Sequence, residues 1–182
     1  MSALDGLRDA IPEPARDLKL NLQAVLADST LSVEQRWGVA VATAVASRSA
    51  RLRDAVIADA RVATNDALVD DAIAAAALMG MNNVYYRFRH LIEKPVYSDK
   101  PARLRMNRLV KPATNKLDFE LFSLAASAIN GCCTCMQSHE RVVLAGGLTE
   151  DQVHDAVRIA ATIQGVAVAL DCAGMESAAH AA

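Results

Sequence analysis

Three of the four cysteines in this 182-residue chain fall at positions 132, 133 and 135, and His139 follows four residues after the last of them. Thiols at Cys-x-x-Cys spacing with an imidazole nearby can cycle between dithiol and disulfide, hold a metal, or close a structural bridge. Asn130-Gly131 is a turn signal, so a helix is expected to start close to Cys132, where unpaired amides and the helix dipole favour a thiolate. At about 100° per residue, Cys135 lies about 60° from Cys132 around the helix. His139 falls between those two directions, which puts all three on one stripe, while Cys133 points elsewhere. From one turn beyond Cys135, His139 can reach its sulfur or a bridging water and move a proton near neutral pH.

Two blander uses of the same residues compete with redox chemistry. A structural zinc site needs four closed ligands, and here the fourth would have to be Cys133 or Cys172 in the absence of a second Cys-x-x-Cys. A permanent disulfide is out of place in a reducing compartment. Cys172, in an alanine-rich final helix, is expected to be a small core residue. His90, His154 and His180 have no nucleophile beside them and are read as surface or capping residues, and Trp37, Tyr85, Tyr86 and Phe122 as core or subunit contacts.

The helix before the cysteines supplies the next candidate. If Leu117 to Asn130 runs antiparallel to the cysteine helix, Glu120 lies about 16 Å from Gly131 and His139 about 12 Å, with Cys135 only about 6 Å along the axis. Glu120 thus matches His139 in depth, which orders a proton relay as Glu120, His139, Cys135, Cys132. The flanking FELF and LAASAI are apolar enough to bury the carboxylate, and a buried carboxylate needs a partner such as His139.

Helical signals recur along the whole chain. Ser32 with Gln35 forms a capping box before a run ending near Ser47, and Thr149 with Gln152 repeats it before a run ending near Asp171, while Gly146-Gly147 stops the cysteine helix. Apolar residues make up 53% of the chain and aromatics 4%, a balance that suits close-packed all-α structure rather than a β-sandwich, and the length suits one domain. Nineteen basic against 21 acidic residues give no electrostatic case for nucleic acid. The start MSALDGLRDAIPEPARD has no signal-like apolar core, and no stretch is read as a membrane span, so a cytoplasmic protein is expected.

The chain also overlays on itself. Val33 to Ile57 lies over Asp118 to Val142 at an offset of 85, with Trp37 on Phe122 and Ala40 on Ala125; VDDAIAAAALMG from Val69 lies over VHDAVRIAATIQ from Val153 at 84. Alanine-rich helices resemble one another by composition, but the near-constant offset favours two related halves, about 31–92 and 116–176, joined by a Pro-rich connector at about 93–115. In that register Ser47, Ala50 and Asp54 stand at the places of Cys132, Cys135 and His139, so one half lacks the chemistry.

The spacing of Glu120, Cys132-x-x-Cys135 and His139, together with MGMNNVYYR from Met79, LRMN from Leu104 and SAINGC from Ser127, resembles the alkylhydroperoxidase D (AhpD) family of the carboxymuconolactone decarboxylase-like superfamily. The resemblance spans nearly the whole chain. It implies an all-α subunit of two related halves, usually a homotrimer, acting as an antioxidant Cys-x-x-Cys peroxidase or disulfide reductase on organic hydroperoxides. It further implies electrons from dihydrolipoamide, through a lipoylated acyltransferase and lipoamide dehydrogenase, and their passage to a peroxiredoxin, the alkyl hydroperoxide reductase C component. No bound cofactor or metal is expected. Two departures stand out: Thr134 occupies a position where some members carry a second histidine, and Cys133 adds a third thiol.

With Glu120 and His139 as proton relay, Cys135 is assigned as the peroxidatic thiol and Cys132 as the resolving one. The dipole argument alone favours Cys132, and the nearness of His139 with the resemblance favours Cys135. The alternative function is a dedicated disulfide carrier for a peroxiredoxin with incidental peroxidase activity. A non-redox decarboxylase-like enzyme is disfavoured by the intact cysteine pair.

Overall fold

The computed structural model describes residues 2–179, with side chains to residue 173, and the described chain is all-helical. Helix α1 (Ala3–Arg8) is capped by Ser2 and docks on α4 (Ala50–Ala63), whose Asp59 accepts the amides of Ala3 and Leu4. Next come α2 (Asp17–Ala27) and α3 (Val33–Ala46), the latter begun by the expected capping box, Ser32 to the Gln35 amide and Gln35 back to the Ser32 amide. Helix α5 (Asp66–Ile92) leads to a connector that is not bare loop. It holds two single-turn helices, α6 (Pro95–Ser98) and α7 (Asn107–Val110). Helices α8 (Lys116–Ile129), α9 (Cys133–Ala145) and α10 (Glu150–Ala179) complete the chain, and Gly147, at φ +100°, turns it out of α9.

Helices α3 and α8 lie at the centre, packed on each other, on α5 and on α10. Both are rich in alanine, and Val39 to Thr43 and Leu121 to Phe122 are fully enclosed. Close approach is forced at Gly38, where an added Cβ would lie 2.0 Å from the Phe122 ring. Helix α9 lies across α8 and α5, so its chemistry faces the middle of both.

Two buried aspartates tie the segments together. Asp71 on α5 accepts the Thr114 amide at 2.7 Å, its hydroxyl at 2.8 Å, the Ala113 amide and Arg108, all just before α8. Asp155 on α10 accepts the Thr30 amide at 2.7 Å and the Thr30 and Ser29 hydroxyls, just before α3, and Arg158 of its own helix. Each segment leading into a central helix is thus held by the far half of the chain.

Two sequence expectations need correction. Cys172 is exposed rather than in the core, because its position on α10 has turned past the buried stripe of Val166, Ala167, Ala169 and Leu170. The final helix runs to Ala179, past Asp171, and Glu150–Ala173 is long and apolar enough by composition to cross a membrane. Its apolar side instead packs on α2, α3 and α8. Helix starts recur at similar spacing along the chain: α3 and α8, and α4 and α9, start 83 positions apart (Val33 to Lys116, Ala50 to Cys133), and α5 and α10 start 84 apart (Asp66 to Glu150). At the offset of the helix starts, Ser49, Leu52 and Val56 would stand opposite Cys132, Cys135 and His139, two residues on from Ser47, Ala50 and Asp54.

Candidate active site

Cys132 is the N-cap of α9, reached through the Asn130-Gly131 turn with Gly131 at φ +65°. Cys135 sits in the first turn of α9, and the two sulfurs are 2.7 Å apart as free thiols. Formation of a bond of about 2.05 Å needs little movement. Cys132 is fully enclosed, Cys135 is 7% exposed, and Cys133 is on the outer face.

His139, one turn on, places Nδ1 2.6 Å from Glu120 Oε2, and both side chains are buried. The helix geometry that pairs them is the antiparallel contact of α8 with α9. The other ring nitrogen, Nε2, lies 3.3 Å from Met79 Sδ on α5 rather than on a cysteine. Glu120 is thus placed to orient the ring through Nδ1, while Nε2 faces Met79, a side chain that lines the same cleft.

That cleft has a volume of about 400 Å³ and is lined by Cys135, His139, Glu120, Thr134, Ser138 and Val142 from α8 and α9, and by Met79, Asn82 and Tyr86 from α5. Met106 and Leu109 of the connector close its far wall. Cys132 does not reach it. Thr134 and Ser138 bring hydroxyls, and the remaining walls are largely apolar. A larger hollow of about 560 Å³, between α1, α2 and α4, carries no thiol or imidazole.

Burial pushes the Cys135 thiol up to about 12, and its hydrogen bond with Cys132 adds to the rise; Asn83 and Arg87 pull in the opposite direction. At Cys135 burial thus opposes the pull that the helix N-terminus exerts towards the thiolate.

Sequence spacing grouped Cys132, Cys135, His139 and Glu120; the structure pairs Cys132 with Cys135 and His139 with Glu120, and Cys135, His139 and Glu120 line one cleft. It did not reach the contribution of α5. Met79, Asn83 and Arg87 stand beneath the cysteine turn, and Tyr86, read as core or subunit contact, lines the cleft. The available signal was the spacing of Met79, Asn83 and Tyr86-Arg87 on one helical face. His90 and His154 are exposed, and His180 lies outside the described residues.

The carboxymuconolactone decarboxylase family model matches residues 95–179. A protein of Anaeromyxobacter dehalogenans named alkyl hydroperoxide reductase AhpD is 66% identical over 100% of this chain and 98% of its own length. Relatives of the same name from Gluconacetobacter diazotrophicus and Brucella abortus are 50% and 45% identical, the first over 93% of each chain and the second over 96% of this chain and 99% of its own. This chain belongs to the AhpD family. The AhpD relatives cover α5 as well as α8 to α10, whereas the family model begins at residue 95 and leaves Met79, Asn83 and Arg87 outside.

Proposed function

We propose that this AhpD-family chain is an antioxidant thiol peroxidase and disulfide reductase that acts on organic hydroperoxides through Cys132 and Cys135. The supporting observation is that Cys135 alone opens on the cleft, with Cys132 2.7 Å behind it and the His139–Glu120 pair on the same wall. The naming of its relatives as alkyl hydroperoxide reductases agrees with this reading.

Cys135 gives its proton to His139 Nε2 and its sulfur attacks the terminal peroxide oxygen. The O–O bond breaks, the alcohol leaves with the proton, and Cys135 is left as a sulfenic acid. The Cys132 thiol then attacks that sulfur, water departs, and the Cys132–Cys135 disulfide forms. The cost is two electrons per peroxide, and an external dithiol must return them. Dihydrolipoamide, carried on a lipoylated acyltransferase and kept reduced by lipoamide dehydrogenase, fits that demand. A peroxiredoxin, the alkyl hydroperoxide reductase C component, is the protein to which the dithiol would pass electrons. A cytoplasmic homotrimer is the setting we assign.

The apolar walls of Met79, Met106, Leu109 and Val142 suit an alkyl tail. A dedicated disulfide carrier for a peroxiredoxin is the second reading, and the largely apolar cleft in front of Cys135, which suits a small alkyl substrate, favours the peroxidase over it. Mass spectrometry of the reduced protein after one equivalent of an alkyl hydroperoxide is expected to show the Cys132–Cys135 disulfide and one equivalent of alcohol. Peroxide consumption seen only when a peroxiredoxin is added would transfer the role to electron carriage.

A further inference from the structure

Asn82 of α5 lines the same cleft as Cys135 and His139, yet the mechanism above gives it no part. It is 5% exposed, and among the described residues its Oδ1 is buried without a hydrogen-bond partner. Its Nδ2 meets a thioether, Met106 Sδ at 3.1 Å, from the connector wall of the cleft. Sulfur of this kind is a weak acceptor. Turning the amide over would set Oδ1 against the thioether and orphan Nδ2 instead, so one polar end stays unserved either way. A buried amide with an unserved end is unfavourable, and a ligand offering matching groups relieves it.

Other polar groups of the cleft are served differently. Glu120 Oε2 and His139 Nδ1 pair with each other at 2.6 Å, and Thr134 and Ser138 are exposed, so water can reach their hydroxyls. Asn82 stands three residues after Met79 on one face of α5, and Met79 Sδ lies 3.3 Å from His139 Nε2. The amide is thus one helical turn from the side chain that touches the imidazole. Gln164 of α10 also has a buried oxygen without a partner among the described residues, but it lies outside the cleft.

An alkyl hydroperoxide carries one O–H donor and, beside it, an oxygen that only accepts. A primary amide carries the complementary pair, an acceptor and a donor on one carbon. We propose that Asn82 is the substrate anchor of the cleft: Oδ1 accepts the O–H of an alkyl hydroperoxide, Nδ2 leaves the Met106 thioether and donates to the alkyl-bearing oxygen, and the terminal oxygen is left facing Cys135. This deepens the peroxidase reading and rests on it. When the Cys135 sulfur takes the terminal oxygen and the O–O bond breaks, that oxygen keeps its hydrogen in the sulfenic acid. The other oxygen leaves as alkoxide and takes the proton that His139 held. Asn82 Nδ2–H meets the charge developing on that leaving oxygen, and the amide itself neither gains nor loses a proton. The alkyl group is left to the apolar walls of Met79, Leu109 and Val142.

The test compares two electrophiles on the reduced full-length protein, tert-butyl hydroperoxide and iodomethane, the second having no hydrogen-bonding group. Each second-order rate at Cys135 is read by mass spectrometry in a Cys133→Ser, Cys172→Ser background. Asn82→Leu is expected to slow the hydroperoxide about tenfold, as loss of one net hydrogen bond would do, and to leave iodomethane within about twofold. Asn82→Gln, which keeps an amide on a longer stem, should recover part of the loss, and Asn82→Ala carries the test if Asn82→Leu does not fold. Gln164→Leu should leave both rates in place. Folded Asn82→Leu and Asn82→Ala proteins that react with the hydroperoxide like their parent, or that lose both rates alike, would overturn the proposal. A Cys132→Ser, Cys135→Ser protein, which cannot turn over, separates the anchor from the chemistry: saturation-transfer NMR should show tert-butyl hydroperoxide bound, and bound less once Asn82→Leu is added. Binding that Asn82→Leu does not weaken would also overturn the anchor. A parent that methylates at Cys135 and binds the hydroperoxide through Asn82 but never reduces it would sink the peroxidase reading and leave the anchor standing.

Discussion

Burial pushes the Cys135 thiol up to about 12, so in the proposed mechanism its reaction depends on His139 as base. Glu120→Gln keeps the side-chain shape but cannot orient the imidazolium, and turnover is expected to fall about a hundredfold with the thiol titrating at higher pH. Unchanged rate and titration would place Glu120 outside the relay. Replacing Cys132 or Cys135 by serine should abolish turnover, whereas Cys133→Ser, on the outer face, should keep most of it. With the other thiols replaced, the protein retaining Cys135 should form sulfenic acid faster than the one retaining Cys132, which the cleft does not reach; the opposite order in a dimedone trap would exchange their roles. At this scale the sequence was most informative where contacts are local. Cys132, Cys135 and His139 share one helix, and Glu120 sits on its immediate neighbour, so periodicity alone brings them within reach. Met79, Asn83 and Arg87 come from about fifty residues earlier, and no periodicity tells which helix will pack beneath α9.

Helix positions, in turn, depend on a few close contacts. Gly38 lies against the buried Phe122 ring where α3 crosses α8, and Phe122 is two residues from Glu120. Alanine at Gly38 gains about 1 kcal/mol of helix propensity but forces an enclosed ring aside, so a net loss of roughly 1–2 kcal/mol is expected in urea unfolding, with reduced turnover as α8 shifts. A Gly38→Ala protein as stable and active as its parent would show that the crossing has slack. Asp155 works from the other end of the fold. Burial alone would raise its pKa, but the Thr30 amide, Arg158 and the Thr30 and Ser29 hydroxyls outweigh it and bring the carboxyl to about 2, from 3.8. A depressed folded-state value means this carboxylate stabilises the protein above about pH 4, by about 2 kcal/mol, and the contribution disappears as pH falls towards 2. Asp155→Asn should therefore lower the midpoint of urea unfolding at neutral pH and narrow its difference from the parent in acid. A gap that stays constant from neutral pH to pH 2 would remove the carboxylate's charge from the account. The capping boxes and glycine stops that start and end these helices were readable in sequence because each is complete within four residues. The aspartate clasps were not, since each spans between about 40 and 130 residues.

Across the whole molecule, the two clasps are related: Thr30 and Thr114 are 84 positions apart, as are Asp71 and Asp155, and each aspartate reaches into the opposite half. That reciprocity is the arrangement that the two related halves expected from the sequence would produce. Either register leaves the first half without thiols. By helix starts, Ser49, Leu52 and Val56 stand where Cys132, Cys135 and His139 stand in the second half, and Leu52 and Val56 are fully enclosed. No ligand can reach them and neither can exchange electrons, so the first half serves as scaffold, supplying through α5 the groups beneath the cysteine turn. One two-electron couple per chain follows. Anaerobic titration of the reduced protein with a mild disulfide oxidant should end near one equivalent per chain, with Cys132–Cys135 as the main disulfide in peptide mapping. Cys133 and Cys172 are both exposed but belong to different helices, so a second couple between them would need the packing of α9 and α10 to change. An endpoint near two equivalents, or a major Cys133–Cys172 bridge formed within one chain, would show that the outer thiols take part and that the second half does not confine the chemistry to a single pair.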